Sequence, residues 1–241
     1  MKTQIIFIIG ILMCSLGQAQ TKPKVENYPL KNTDLVLFCF GIQQAITIGN
    51  ISDSGELNFN FPKNINFISD EAKANSWSDA AFTLFSKCNN SYDILSEEEN
   101  SKAVSGGYIS LSTKENSYAG LLFMATDENM VPWIEESYSN NAVIGSYFEL
   151  VYMESDFNYQ GDCSSTATYT ETATIETLYV YDLQLKAGFN FIEYKIESVK
   201  EHMIPSGYEE NVFNKIAKPS KIMVSSSQTT APNTKWIGKY F

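Results

Sequence analysis

The chain has 241 residues, of which 44% are apolar, 19% charged and 13% aromatic. That composition can bury a core, and it excludes wholesale disorder, collagen and coiled coil. All 17 basic residues are Lys, there is one His, and the formal net charge is −11. Such an acidic balance argues against binding nucleic acid or anionic lipid by bulk attraction. Without Arg there is no bidentate guanidinium clamp for carboxylate or phosphate. With His202 as the single imidazole, no site with two His ligands forms within one chain, and any Ser-His-Asp or Cys-His site must use that residue.

The amino end reads as an export signal. Lys2 supplies a positive start, residues 5–12 are apolar, and Gly17-Gln18-Ala19 places small residues at −3 and −1 of a cleavage site. Cleavage between Ala19 and Gln20 leaves 241 − 19 = 222 residues, with 16 Lys against 28 acids and a charge of −12. The apolar run is shorter than the roughly 20 residues of a spanning helix, so no transmembrane span is expected after cleavage. A rival reading makes Cys14 the lipidated cysteine of a bacterial lipoprotein, although Met13 is bulkier than the small residue such sites want. The expected location is secreted, periplasmic or associated with the outer membrane.

Cysteine use follows from export. With the signal removed, Cys39, Cys88 and Cys163 remain. Cys39 lies in a run that is apolar on both faces, the setting of a buried thiol. Cys88 and Cys163 sit in polar, turn-like surroundings, and the expectation is a Cys88–Cys163 disulfide. There is no CxxC, and three scattered Cys with one His make a poor zinc case. No metal or other cofactor is expected.

Residues 20–33 read as a loose leader. Residues 34–40 and 45–51 read as strands, and Asp53-Ser54-Gly55 as a turn into Leu57, Phe59 and Phe61, which alternate with Asn58 and Asn60. Residues 69–88 predict one helix, capped by Ser69 with Asp70 and Glu71 in its first turn. Its apolar stripe would be Trp77, Ala81, Leu84, Phe85 and Cys88; a strand over 81–86 is the rival.

The β pattern resumes after the acidic stretch. Residues 107–113 and 118–126 predict a hairpin around Lys114-Glu115-Asn116, and 145–154 an inner strand. Thr166, Thr168, Thr170, Thr172 and Thr174 alternate along a further strand, followed by strands at 178–185 and 189–199. Gly188 is free to take positive φ in the turn between the last two. Residues 221–226 add a strand, and 225–232 read as a linker. The organisation is therefore a signal peptide at 1–19, a leader at 20–33, an N-terminal β part at 34–95 and a C-terminal β-sandwich part at 106–241. The two parts are separate or form one domain. The fold class is mainly β, an antiparallel β-sandwich or two small packed sandwiches, with at most one or two short helices. An outer-membrane barrel fits poorly, because Glu193, Lys195 and Glu197 interrupt one face of the best strand.

The stretch Leu183-Gln184-Leu185-Lys186-Ala187-Gly188-Phe189-Asn190, preceded by Tyr159-Gln160-Gly161, resembles uncharacterised secreted and lipoprotein β-rich envelope proteins of Bacteroidota. The likeness covers residues 145–200, with Phe189 where Trp is commoner. It implies a cell-envelope β-domain of unassigned activity and carries over no catalytic residue.

Site candidates are few. Trp133, flanked by Pro132 and Glu135-Glu136, reads as the best exposed aromatic for stacking on a sugar ring. Glu128 and Glu135 beside it are the acid pair to inspect for a carboxylate-based polysaccharide hydrolase. The acidic runs at 97–99 and 209–210 lack an ordered calcium loop and read as solvated surface. The Thr row reads as a plain solvent-facing strand, and His202, among charged neighbours, as a surface histidine. The functional reading is a non-catalytic binding or structural module whose partner is a glycan, another envelope protein or a second copy. The rivals are the hydrolase and a lipid-anchored member of an envelope complex. Intact mass of the exported protein tests the address: the expected chain starts at Gln20, with two thiols that alkylate only after reduction. A start at Cys14 with added acyl mass would replace cleavage by lipidation.

Overall fold

The computed structural model describes residues 23–94, 101–170, 173–205 and 212–241. The export signal, Cys14, the Ala19-Gln20 junction, the acidic runs at 97–99 and 209–210, and Thr172 lie outside the described residues. The first elements are β1 (Thr33–Leu37), β2 (Ile46–Ile51), β3 (Leu57–Phe59), α1 (Asp70–Ser76), β4 (Ser78–Asp79) and α2 (Ala80–Leu84). Then come β5 (Lys102–Gly107), β6 (Ile109–Ser112), β7 (Gly120–Ala125), α3 (Val131–Glu135) and β8 (Gly145–Met153). The long strands β9 (Phe157–Thr170), β10 (Ala173–Leu185), β11 (Gly188–Pro205) and β12 (Phe213–Ser227) follow, and β13 (Lys235–Tyr240) is last.

The fold is mainly β and mostly antiparallel, with three short α-helices among the described residues where the sequence predicted at most one or two. The strands share one hydrogen-bonded path, β3-β2-β1-β6-β7-β8-β11-β12-β10-β9, which is open at its ends. β13 adds to the free edge of β7, and β5 pairs β8. The path folds over on itself, so that Phe59 of β3 touches Phe191 of β11 with ring centres 6.2 Å apart. The chain passes from β5 to β6 through Gly107, whose φ of +65° is a conformation that side chains disfavour.

β8 is the divider between two cores. Successive strand residues point to opposite faces. Phe148, Leu150 and Tyr152 accordingly join Leu35, Leu37, Ile46 and Ile48 in an N-terminal core. Tyr147, Val151 and Met153 join Leu84, Phe85, Tyr181 and Leu183 in a second core. β11 does the same, with Phe191 on the first side and Ile192, Tyr194 and Ile196 on the second.

Several expectations need correction. The leader is not loose from Pro23 onward: Val25 is buried and bridges to Trp236, and its N–H donates to Gly55 O at 2.9 Å. Cys39 is half-buried rather than buried, because β1 stops at Leu37; what burial it has pushes the thiol up to about 11. The single helix over 69–88 is two. Ser69 caps α1 by accepting from Ala72 N, but Trp77 packs on Phe40 and Tyr152 in the N-terminal core. Ala81, Leu84 and Phe85 enter the other core. One straight helix cannot serve both, and the chain breaks into β4 between them.

The Thr row is also divided. β9 starts earlier, at Phe157, and turns into β10, so that Thr168 faces Thr174 across the hairpin. β10 and β11 are not neighbours. β12 inserts between them, antiparallel to β11 and parallel to β10, and it is longer than predicted, leaving a linker only after Ser227. The link from Leu185 to Gly188 thus steps over one strand, a distance of about 9.5 Å that three peptide steps can span. Gly188 takes φ +102° as expected.

Asn190, fully buried, organises that step. Its Nδ2 donates to Lys186 O at 2.7 Å and Gly188 O at 2.9 Å. Its Oδ1 accepts from Lys186 N at 3.0 Å and Gln228 Nε2 at 2.7 Å. All its donor and acceptor capacity is used. Asn190→Ala is expected to cost about 2 kcal/mol, because four part-buried hydrogen bonds that hold the turn are lost and water replaces some of them. The check is a lowered urea midpoint at unchanged m-value; an unmoved midpoint would mean that water replaces the side chain.

Candidate functional site

A concave site lies on the second-core side of the sheet. It is a cleft of about 440 Å³ between the end of α2, α3 and strands β8, β9 and β10. Its floor follows from strand periodicity. Tyr147 and Glu149 are two apart on β8 and share a face, and Tyr194 of β11 lies in register with Tyr147. Those two rings stack with centroids 5.0 Å apart. Tyr179 of β10 completes the floor, and Trp133 forms a wall, edge-to-face on Tyr147 at 5.7 Å.

Lys87 is delivered from the opposite side. It sits between Phe85, which is fully buried, and Cys88, which is disulfide-bonded to Cys163 of β9 with Cα atoms 5.7 Å apart. The expected disulfide is therefore present. Asn89 continues the attachment as a short mimic of a strand. Its N–H donates to Ser164 O, its Oδ1 accepts from Thr166 N at 3.0 Å, and its Nδ2 donates to Thr166 Oγ1 at 2.8 Å.

So held, Lys87 Nζ lies 3.2 Å from Glu149 Oε1 and 4.5 Å from the centre of the Tyr194 ring. Burial works against the lysine charge, but the facing Tyr194, Glu149 and Tyr179 oxygens outweigh it and hold the ammonium above its ordinary range. Burial, with Glu149 adding to it, raises the Tyr147 and Tyr194 hydroxyls well above the usual phenol value. At neutral pH the cleft therefore sets the Lys87 ammonium among neutral phenols, beside the Glu149 carboxyl group. Ser86, Asn89, Ser137, Ser165 and Thr166 supply hydroxyl and amide groups around them.

Of the predicted binding residues Trp133, Glu128 and Glu135, Trp133 alone lines this cleft. It is 7% exposed, a buried wall and not an open platform. Pro132 misled the reading: it occupies the first turn of α3, where a missing N–H costs nothing. The Trp133 Nε1 is buried without a partner. Glu128 is exposed in a one-turn helix, and Glu135 is ion-paired with Lys239 at 2.6 Å; neither lines the cleft. His202 is half-buried on β11 opposite Ile216 and also stands apart. Lys87 and Glu149 were missed. Glu149 carries a readable signal, a lone carboxylate inside the apolar run Tyr147-Phe148-Glu149-Leu150-Val151. Lys87 carries none, since Ser-Lys-Cys-Asn-Asn looks like ordinary surface.

A second missed lysine shapes the rim. Lys218, 4% exposed, donates to the carbonyls of Ser137, Tyr138 at 2.7 Å and Asn140 at 2.9 Å. Ser137 lines the cleft, and Tyr138 stacks on Tyr169 of β9 at 4.4 Å. Lys218 thus ties the segment after α3 to β12. Among the described residues no helix is long and apolar enough to cross a membrane, and no cluster of three or more His, Cys, Asp or Glu is arranged to hold a metal. Comparison with protein-family models, curated proteins and solved structures finds no match to this chain.

Burial pushes Lys218 down to about 8, with Glu136 opposing. An unfolded Lys keeps its proton to about 10.4. Between those values the unfolded chain binds more protons, so Lys218 makes stability rise with pH. Relative to Lys218→Met, the wild type should gain stability across that window, by at most about 1.4 kcal/mol per pH unit. A flat difference would show that the three carbonyls keep the ammonium charged.

Proposed function

We propose that this chain is an exported, non-catalytic β-protein of the cell envelope that binds a glycan in the Lys87–Glu149 cleft. The observation that carries the reading is the pairing of aromatic walls with a single acid–amine couple. Glu149 Oε1 and Lys87 Nζ, 3.2 Å apart, present a strong acceptor beside a strong donor. That matches two adjacent hydroxyls of a sugar ring, one donating to the carboxylate and one accepting from the ammonium. Tyr147, Tyr179 and Trp133 supply faces and edges for C–H packing. The opposite charges cancel locally, which favours a neutral sugar over an ionic ligand.

A glycosidase needs two carboxyl groups, about 5–9.5 Å apart, flanking the scissile bond. Glu149 is the one carboxylate among the residues lining this cleft, and it is committed to Lys87. This favours retention over cleavage. The Cys88–Cys163 disulfide fits an oxidising compartment and so supports export. The short likeness around Leu183–Asn190 to Bacteroidota envelope proteins points the same way.

The test is calorimetric titration of the folded protein with neutral oligosaccharides, with reducing-end release measured on the same samples. Binding without release is expected. Lys87→Met and Glu149→Gln should each weaken binding about tenfold, the worth of one hydrogen bond to a charged group. Cleavage of any oligosaccharide, or binding indifferent to both substitutions, would overturn the proposal.

A further inference from the structure

A second cavity of about 150 Å³ adjoins the cleft. It exists because β7 and β8 diverge: Ala125↔Tyr147 is the one residue pair that joins them. The β5–β6 corner crosses the gap this leaves. Ile109, Leu122, Phe123, Met124, Ile134 and Phe148 give the slot its apolar lining. Ile134 and Glu149 line both the slot and the cleft. Tyr108, which also lines the slot, donates its hydroxyl to Ile134 O at 3.0 Å and packs on Phe123 with centroids 5.3 Å apart.

We infer that cleft and slot form one bipartite site, and that its ligand is a glycan bearing an apolar substituent about the size of a phenyl ring. The inference rests on the glycan reading of the cleft and adds what the sugar must carry. Three observations converge on it. The slot has the volume at which a cavity lined by Leu, Ile and Phe accepts benzene, about 150 Å³. Glu149, the carboxyl group that a sugar hydroxyl would engage, lines both compartments, so a group attached next to that hydroxyl is placed beside the slot. The two compartments also differ in character: the cleft is lined mainly by polar groups, whereas in the slot the apolar side chains outweigh the polar groups of Ser105, Tyr108 and Glu149. An unsubstituted sugar would use the first alone. A plain hydrocarbon would use the second alone.

The experiment uses the wild-type protein labelled with 13C at its methionine methyls, since Met124 lines the slot. Met124→Leu, a volume-conserving swap, assigns its resonance. Matched methyl and phenyl β-glycosides of glucose, galactose, xylose, mannose and N-acetylglucosamine are titrated, with phenol as the sugar-free control. For at least one sugar, the phenyl glycoside should bind tenfold or more tighter than its methyl partner, the gain expected from burying a ring, and shift the Met124 methyl. If methyl glycosides bind, phenyl ones bind no tighter and Met124 stays put, the bipartite inference is overturned and the glycan reading stands. If phenol shifts Met124 as tightly as any glycoside while no methyl glycoside binds, the glycan reading itself falls.

Discussion

The structure depends on one strand, β8, being buried on both faces. It lies between two cores and offers apolar residues at odd and even positions alike, and β11 shares this only around Phe191 and Ile192, since its outer face continues as Glu193, Lys195 and Glu197. A solvated strand satisfies one face only. Here the N-terminal strands β1–β3 cover one side and the helices α2 and α3 the other. The cost of losing either cover is the exposure of a full row of large side chains, each worth about 2 kcal/mol. That constraint explains why the helix break, the leader docking and β13 all serve the same two cores.

The cleft is where this double burial is incomplete. Glu149 occupies a position on β8 whose neighbours on the same face, Tyr147 and Val151, are buried. A half-buried carboxyl group there calls for a polar partner. Lys87 meets the need, and its segment is fastened by a disulfide and by Asn89 rather than by regular structure. Lys218 plays the comparable part at the rim, spending its three donors on carbonyls that no strand pairs. In a chain without Arg, lysines share such fixing of polar groups with amides such as Asn190 and Asn89.

Much of the strand pattern is legible in the sequence because alternation is a local property. The β2–β3 and β6–β7 hairpins, the inner strand β8, the Ser69 cap and positive φ at Gly188 follow from residues close together in the chain. Pairing between distant strands does not. Nothing local marks β12 as the strand that separates β10 from β11, since its early half, with Lys215, Lys218 and Pro219, looks like loop. Trp133 and Pro132 show the same limit: a Pro at a helix start and a Pro in a loop read alike in five residues. The disulfide was legible from polar context and parity. The Lys87–Glu149 couple spans 62 residues and two unrelated elements, and only the fold joins them.

The bridge between Val25 and Trp236 joins residues 211 apart. Trp236 belongs to the N-terminal core and β13 completes the edge of β7, so the core begun by the first strands is closed by the last one. A chain made from its amino end cannot finish this core until its final residues are free. Such long-range closure slows folding, because loop entropy is spent before contacts repay it. The polypeptide accordingly passes through a period in which β7 has an open edge and the early strands lack their lid.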